Sequence, residues 1–539
     1  MRRLTTMAGS LIAGLTAIGL GTAALAGAQG AGARNEKLGT AHFETSCASN
    51  VTTGFDRAMA LLHSFEFPAA IAGFQQAAQT DPSCGIAEWG IAMATWGNPF
   101  SGLRAPRVIQ SGLDAVGRAQ TMSAKTERER DYIAAVALLY ADADTKDQRT
   151  RTLAYERAME QIHAKYPKDL EATAFYALAI DQDALPTDKT YANQLKAAAL
   201  LEQLFTIEPD HPGVTHYLIH SYDVPALAAR GLPYARRYAN LAPDAPHALH
   251  MPAHIFTRVG LWQDSIDTNI RSHDAALADG NSGEALHAMD YMAYAYLQTA
   301  QDTAAKRVVD ELGELVAKQK PGQAGLEGGF PGTAIPARYA LERGQWADAA
   351  NLPVHAAQQP YIEAMTHFAR ALGEARSGHA ATIKTELDAL AALEAKEVQA
   401  KDDYWATQVE IERRGAEAWM EWAEGQKDTA LAHMAAAAAL EDTTEKSAVT
   451  PGPLAPAHEL LGDMLIEAGR PADALTQYEA GLAKEPNRFR SLYGAAHAAE
   501  LARNAAKARN YYDQMLKTCV RGDTPGRSEL AHARTYAAR

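Results

Sequence analysis

The sequence has little of what marks several common protein classes. Only 7% of its 539 residues are aromatic, 22% are charged and three are cysteine. It contains no CxxC or CxxCH motif, which excludes a thioredoxin-like redox site, a cysteine-rich zinc site and covalent c-type haem. The net charge of −14 argues against binding to nucleic acid through a basic surface.

The chain also lacks the local motifs of several enzyme classes. No GxSxG nucleophile elbow, no GxxxxGK[ST] phosphate loop and no GxGxxG dinucleotide fingerprint is present. The carboxylates are scattered over helical faces and suggest no glycosidase pair. If the protein is an enzyme, a bound metal ion is therefore expected to carry the chemistry, with a reaction class that the sequence leaves open.

Long apolar runs are confined to the N-terminus. No later stretch approaches the ~18 apolar residues of a membrane-spanning helix. The apolar stretch Met7–Leu25 follows a basic pair and ends in an Ala-Leu-Ala cleavage site. This pattern predicts a signal peptide of residues 1–26, with cleavage after Ala26 or as late as Ala33, and hence a bacterial protein of the periplasm or the exterior.

An oxidising compartment would allow a disulfide to form. Cys47 and Cys84 flank the first helical pair, and we expect them to be joined. Cys519 is then left as a buried or free thiol.

A 34-residue period dominates the chain. In the clearest unit, which begins near Ala455, small residues alternate with large ones at fixed positions. The residues at repeat positions 7, 8, 11, 20, 24 and 32 are Leu461, Gly462, Leu465, Ala474, Tyr478 and Pro486. Small residues allow two helices to approach closely, large ones fill the space between them, and proline ends the second helix. The pattern resembles the tetratricopeptide repeat, a helix–turn–helix unit.

The resemblance implies an all-α fold, a right-handed superhelix of stacked helical hairpins that is divided into two blocks. Stretches rich in glycine and proline set the expected boundaries. They predict the following segments: an N-terminal helical block at 34–320, a loop or hinge at 321–335, a second helical block at 336–445, a Pro-rich linker at 446–456 and C-terminal repeats at 457–539.

Histidine is concentrated in one part of the repeat array. Eight of the 18 histidines lie between residues 211 and 290. His216 and His220 form an HxxxH pair, and His250 and His254 repeat it 34 residues later. Residues four apart share a helix face, and packed helices lie about 8–10 Å apart, so the four imidazoles can converge. The resemblance implies that their repeat positions line the concave groove.

The next repeat extends this pattern. With Ala305 at position 20, His287 falls at position 2, Asp290 at position 5 and Tyr294 at position 9. His216, His220, His250, His254, His287 and Asp290 are therefore the candidate metal ligands. Imidazole with one carboxylate suits a divalent transition metal, and copper, zinc and non-haem iron all remain open.

Several neighbours are weaker candidates. His211 and His247 are expected to be loop or cap residues beside proline, with His247 also able to support a ligand. Tyr294 could assist proton transfer, and Arg338 falls at a groove position. Arg258 could attract an anion, although a solvent-facing position is the more ordinary interpretation. His63 is expected in the core and His273 on the surface, and Pro252 could disturb the pairing of His250 with His254.

Two functions fit these patterns. The first is an exported repeat protein with a histidine-rich transition-metal site in its groove, which could be a metalloenzyme. The second is a non-catalytic scaffold that binds a peptide or a partner protein through the same groove, with the histidines serving hydrogen bonding or pH sensing. The HxxxH pairs lack the glutamate of HExxH, so a zinc protease is excluded.

Overall fold

The computed structural model describes residues 36–122, 124–319, 325–357, 359–378 and 380–538. Within these ranges every regular element is a helix, so the predicted all-α class is confirmed. The predicted signal peptide lies outside the described residues. Among the helices of the described ranges, none is both long enough and apolar enough to cross a membrane.

The first eight α-helices pack in chain order, each against the next. Sequence signals set their ends. Thr126 caps α5 by accepting from the Glu129 amide, and the Glu129 carboxylate accepts from the Thr126 amide, which completes a capping box. The helices are α1 (Thr52–His63), α2 (Phe67–Thr80), α3 (Gly85–Trp96), α4 (Pro106–Thr121), α5 (Glu127–Tyr140), α6 (Gln148–Lys165), α7 (Leu170–Gln182) and α8 (Ala192–Ile207).

The middle helices continue the stack. Proline stands in the first turn of α9 and of α11, where its missing N–H costs no hydrogen bond. Pro252 ends α11 at His250 and starts α12. These helices are α9 (Pro212–Tyr222), α10 (Ala228–Leu241), α11 (Pro246–His250), α12 (Pro252–Arg258), α13 (Trp262–Ala278), α14 (Ser282–Gln298), α15 (Asp302–Ala317) and α16 (Phe330–Glu342).

The C-terminal helices include the clearest repeat. A Cβ at Gly462 would lie 2.6 Å from the Tyr478 ring, which is the close approach that the repeat pattern predicts. The helices are α17 (Trp346–Ala350), α18 (Pro360–Ser377), α19 (Ala380–Ala400), α20 (Asp403–Ala423), α21 (Lys427–Asp442), α22 (Ala457–Glu467), α23 (Pro471–Lys484), α24 (Phe489–Leu501), α25 (Ala505–Thr518) and α26 (Ser528–Ala537). Two short 3-10 helices span Ser49–Val51 and Leu326–Gly328.

Stacking produces two large apolar cores within one structural unit. The first core draws on residues 38–256 and the second on residues 300–533, with smaller clusters on α13, α14 and α15 between them. Residues 37–539 form a single compact unit. The tetratricopeptide-like solenoid therefore runs through the predicted block boundary without a break in packing.

The predicted loop at 321–335 is shorter than expected. Helix α16 already begins at Phe330, and Pro331 lies in its first turn, where proline is tolerated. Residues 320–324 lie outside the described residues.

The Pro-rich segment 446–456 crosses the array and packs on the helices that carry histidine. The Lys446 ammonium lies 3.1 Å from Asp223, which follows α9. The Tyr291 hydroxyl on α14 donates to the Thr450 carbonyl at 3.3 Å, and the Arg338 guanidinium donates to the Thr450 hydroxyl at 2.8 Å. The segment therefore covers one face of the middle helices.

Polar contacts also tie the C-terminal repeats to the middle of the chain. The Arg488 guanidinium donates to the Tyr294 hydroxyl at 2.8 Å, and the Trp262 indole donates to the Asn487 carbonyl at 2.9 Å. At the other end of the array, a Cys47–Cys84 disulfide joins the segment before α1 to the start of α3. Cys519 is a buried free thiol.

Candidate metal centre

Six histidines from three helical units meet inside the array. Helix α9 carries His216 and His220, α11 and α12 carry His247, His250 and His254, and α14 carries His287. All are buried except His287, which is partly exposed. The 34-residue repeat accounts for this convergence, because it places two HxxxH pairs on helices that pack side by side.

The first set of ligand atoms belongs to His216, His220 and His247, whose nitrogens lie within 4.8 Å of one another. The Nε2 atoms of His216 and His220 are 3.1 Å apart. The Nε2 atom of His247 is buried and has no hydrogen-bond partner among the described residues. Three imidazole nitrogens at this spacing match a site for one metal ion.

The second set belongs to His250, His254 and His287, again with nitrogens within 4.8 Å of one another. The Nε2 atoms of His250 and His254 are 3.0 Å apart. Pro252 therefore breaks the helix without separating the pair.

The two sets adjoin. The ring centroids of His220 and His254, one from each set, are 5.5 Å apart, and those of His247 and His250 are 5.7 Å apart. Within the first set, the centroids of His216 and His247 are 5.2 Å apart. Ring centroids are nearly as close between the two sets as within one set. The six rings therefore form a single cluster with room for two neighbouring ions.

Surrounding groups fix the orientation of the rings in the second set. The His250 Nδ1 lies 2.7 Å from the Asn269 Oδ1, and the Asn269 Nδ2 donates to the Ser265 carbonyl at 2.7 Å. Asn269 can therefore only accept from His250, which puts the proton of His250 on Nδ1. The His254 Nδ1 lies 2.9 Å from the Asp223 carboxylate, which likewise accepts a proton.

A consequence follows for the Nε2 atoms of His250 and His254. With both protons on Nδ1, the two Nε2 atoms face each other at 3.0 Å with a lone pair each. Two acceptors at this distance repel each other unless a cation lies between or beside them. The second set could therefore hold a metal ion, with its rings oriented by outer hydrogen bonds as histidines in metal sites commonly are.

The first set has the same outer support. The His216 Nδ1 donates to the His63 carbonyl at 2.7 Å, and the His247 Nδ1 donates to the Glu284 carboxylate at 3.1 Å. Both bonds leave Nε2 directed at the cluster.

Burial keeps most of these rings neutral. Burial lowers the pKa of His216, His220 and His250 well below the usual value, and neighbouring imidazoles lower it further. Burial also lowers the pKa of His287 to about 4. For His247, burial lowers the pKa but the Glu284 carboxylate outweighs it, so the net pKa is raised. Neutral imidazoles can bind a metal without first losing a proton.

Aromatic side chains wall the cluster. Phe65 lies against His216 and His247 with ring centroids at 4.3 and 5.5 Å, and Tyr291 lies 4.6 Å from His250. Phe100 stacks on His220 at 4.1 Å. Such walls exclude water and lower the local dielectric, which strengthens electrostatic interactions within the cluster.

A cleft of about 790 Å³ reaches this wall from outside. Phe100, Lys446 and Ala448 line it. Phe100 covers His220, and Ala448 accepts from the Tyr291 hydroxyl at 3.4 Å. The cleft therefore ends at side chains that contact the cluster.

Other predicted site residues lie away from the six rings. The Asp290 carboxylate pairs with Arg338 at 2.8 Å, and both side chains are fully buried. The Tyr294 hydroxyl donates to Glu485 at 3.3 Å and accepts from Arg488. Asp290 belongs to neither three-histidine set of the described residues.

The register of the third unit explains this difference. The loop that precedes α14 is three residues longer than a 34-residue repeat allows. His287 and Tyr291 therefore follow His250 and His254 by 37 residues rather than 34. The position of His247 is then taken by Glu284. Tyr291, not Tyr294, is the aromatic residue that lies against the cluster.

Two sequence expectations about exposure are wrong. Arg258 is not solvent-facing: it is buried and donates to Asp223 at 2.8 Å, because that carboxylate follows α9 directly beside it. His273 is not on the surface: it is 7% exposed and lies 3.1 Å from Glu311. His63 is fully buried, as expected.

Sequence reasoning missed several contributors. His247 was expected only to support a ligand, because it stands beside Pro246 at the start of a helix, yet its Nε2 completes the first set. No sequence motif includes Asp223, Asn269 or Phe100. Tertiary packing alone brings them to the cluster.

A third histidine group has a different character. Glu171 accepts from His63 at 2.7 Å and from His211 at 3.1 Å. The remaining His63 nitrogen bonds the Tyr217 hydroxyl at 2.8 Å, and the remaining His211 nitrogen accepts from the Val214 amide, the expected cap. Because every nitrogen is engaged, this group has no free ligand atom.

Comparisons with known proteins bear on the fold only. No family model matches the chain, and no curated protein matches its sequence. Among solved structures, the human IFIT1 dimer with m7Gppp-AAAA is similar at a TM-score of 0.35 and 12% identity, over 80% of this chain and 90% of that one. The structure of Naa15/Naa10 bound to HypK-THB is similar at 0.24 and 13%, over 90% and 73%. Neither likeness assigns a role to any residue of this chain.

Proposed function

We propose that this protein is an exported, tetratricopeptide-like metal-binding protein that holds two transition-metal ions, one in each three-histidine set. The observation that carries the proposal is the pair of facing Nε2 lone pairs of His250 and His254 at 3.0 Å. Two further features support it: the unpartnered Nε2 of His247 and the outer hydrogen bonds that hold the rings.

The ligand chemistry favours copper over zinc and iron. Each proposed ion has three neutral imidazoles and, among the described residues, no carboxylate ligand in its set, whereas non-haem iron sites commonly include one. Asp223 is already paired with Arg258 and Lys446, so of the two carboxylates that hydrogen-bond rings of the cluster only Glu284 is left to offset two divalent ions in a buried site. Singly charged Cu(I) lowers that cost.

The same geometry favours a reactive site over a closed structural one. Three ligands leave a position open on each ion, and bound copper would supply redox chemistry or activation of oxygen or water there. The residues of this chain would hold the ions, exclude bulk water with Phe65 and Tyr291, and admit small molecules past Phe100.

The scaffold alternative draws on the solenoid fold itself, which is suited to binding a peptide or protein partner. Over α9, α12 and α14, segment 446–456 of the same chain already covers the histidine-bearing face. A peptide bound there would have to displace that segment, including its Lys446–Asp223 ion pair.

Elemental analysis of the untagged mature protein, purified from the compartment in which it accumulates, tests the metal proposal. We expect about two equivalents of copper per chain. The His216→Ala/His250→Ala variant should hold none, whereas His433→Ala, which changes an exposed histidine elsewhere, should hold the full amount. Absence of metal in the wild type, with no uptake on titration with Cu(I), would leave the scaffold function.

The mass of the same mature protein tests export. Cleavage after Ala26, or as late as Ala33, should remove the N-terminal segment. An uncleaved chain in the cytoplasm would overturn the export proposal without touching the metal proposal.

A further inference from the structure

A second cavity adjoins segment 446–456. It has a volume of about 110 Å³, and residues of α16, α18, α20 and that segment line it. None of the six clustered histidines lines it. Arg258 and Lys446 in its wall bind Asp223, so the cavity and the cluster share no ligand and meet through this carboxylate, which holds His254.

One wall of the cavity is aromatic. Tyr361 and Trp405 stack face to face with ring centroids 3.7 Å apart and planes within 3°. Phe330 lies beside them, 6.1 Å from Trp405. Aromatic faces of this kind bind apolar groups and attract cations.

The basic groups that line the cavity are already paired. Asp223 accepts from Arg258 at 2.8 Å and lies 3.1 Å from Lys446, Asp290 binds Arg338 at 2.8 Å, and Asp442 binds Lys484 at 2.6 Å and His458 at 2.9 Å. These groups have no free charge to offer an anionic ligand.

Three of the four acidic groups in the lining also have donors. Glu441 accepts from the Ala457 amide at 3.0 Å, Glu445 from Lys189 at 2.8 Å, and Glu485 from the Tyr294 hydroxyl at 3.3 Å. Glu412, on α20, is the exception: its side chain is partly exposed and makes no hydrogen bond or ion pair among the described residues, and Arg338 is the one charge that acts on it.

An unpartnered carboxyl group in a cavity wall is costly, and a bound donor would remove the cost. Burial raises the pKa of Glu412 to about 8, against the opposing charge of Arg338. The empty site therefore holds a protonated acid at pH 7, which would ionise when a cation binds.

We propose that this cavity binds a small organic amine, with its ammonium group on Glu412 and its apolar body against Tyr361 and Trp405. The cavity is smaller than the ~150 Å³ of a cavity that accommodates benzene, so a compact branched aliphatic amine is the size that fits. A doubly charged metal ion is a poorer match, because Glu412 is the one free ligand and the rest of the wall is largely apolar.

Calorimetry with isobutylamine, on the purified mature protein at pH 7, tests the proposal. Isobutanol and isobutyrate serve as neutral and anionic probes of similar shape. We expect isobutylamine to bind at least about tenfold more tightly than either, because only the amine completes the Glu412 charge pair. Titration in two buffers of different ionisation enthalpy should show close to one proton released per amine bound.

Two variants identify the site. Glu412→Gln keeps the shape of the side chain and should lose at least about tenfold in isobutylamine affinity together with the proton release. Glu424→Gln, at the exposed end of the same helix, should change neither. Equal affinity for isobutylamine and isobutanol, or unchanged binding by a folded Glu412→Gln protein, would overturn the proposal.

An amine could also ligate a metal ion, so the measurement is repeated on His216→Ala/His250→Ala. Binding should persist there, because the cavity and the histidine cluster share no residue. Loss of isobutylamine binding in this variant alone would assign the amine to the metal centre and overturn the cavity proposal.

Discussion

Two neighbouring groups of histidines use the same side chain in opposite ways. In the group of His63, Glu171 and His211, all four imidazole nitrogens have a partner that settles their protons. In the six-histidine cluster, outer partners take the Nδ1 atoms of four rings, and two pairs of Nε2 atoms face each other. Both groups are largely buried and both consist mainly of histidine. What separates a structural network from a set of metal ligands is therefore the number of imidazole nitrogens without a partner.

The largest effect should come from removing one ligand of each set. His250→Ala should lose the copper of the second set, and His216→Ala that of the first, because two imidazoles bind far more weakly than three. Stoichiometry by elemental analysis should fall from about two equivalents to about one in each single variant. Loss of both ions in either single variant would show instead that the six rings bind as one cooperative unit.

The structural network should respond in stability rather than in metal content. Glu171→Leu leaves two buried imidazole N–H groups without an acceptor and should cost about 3 kcal/mol in the free energy of unfolding. Glu171→Gln, which can still accept one bond, should cost less. Denaturant titration measures both, and elemental analysis should find the copper retained in the folded protein.

The pH dependence of the Glu171 effect has a fixed sign. Burial raises the pKa of Glu171, but His63 and His211 outweigh burial, so the folded-state pKa lies below the ordinary value. Its stabilising contribution is therefore present above the ordinary carboxyl pKa of about 4.3 and is lost as the pH falls. The stability difference between wild type and Glu171→Leu should shrink below pH 4, and a difference that grows there would contradict the assignment.

These contrasts also show what the sequence could and could not predict. The helical class and the convergence of His216, His220, His250 and His254 follow from a 34-residue period that two HxxxH pairs share. The third unit was misaligned, because a loop three residues longer shifts Tyr291 into the position expected for Tyr294. A repeat period gives positions only where the loop lengths are equal.

The residues that hydrogen-bond to the outer nitrogens of the cluster histidines could not be predicted from the sequence, for another reason. Asp223 follows α9 and Asn269 lies on α13, and neither stands at a repeat position that the pattern marks. Their roles arise from which atom each imidazole meets after packing. The covering role of segment 446–456 was hidden in the same way, since a proline-rich stretch is also the composition of an open linker.

Replacing Asn269 should have a smaller effect than removing a ligand histidine. Asn269→Ala removes the acceptor that holds the His250 proton on Nδ1, and losses of this kind commonly weaken metal binding by about 10- to 100-fold. Competition with a Cu(I) chelator should show weaker binding at one ion and unchanged binding at the other. Asn240→Ala, at an exposed position of α10, is the matched control. Equal weakening at both ions would mean that Asn269 supports the whole cluster.

The smallest effect is expected at Phe100, which touches the cluster without binding it. Phe100→Ala removes the ring that stacks on His220 at 4.1 Å and opens the wall toward the cleft, but takes away no ligand nitrogen. Copper stoichiometry should stay at about two, while removal of copper by a chelator should become several-fold faster. Leu113→Ala, on α4 outside the cleft and 39% exposed, should leave that rate unchanged. If Phe100→Ala leaves it unchanged as well, small molecules reach the ions by another route, and the partly exposed side of His287 becomes the entrance to test.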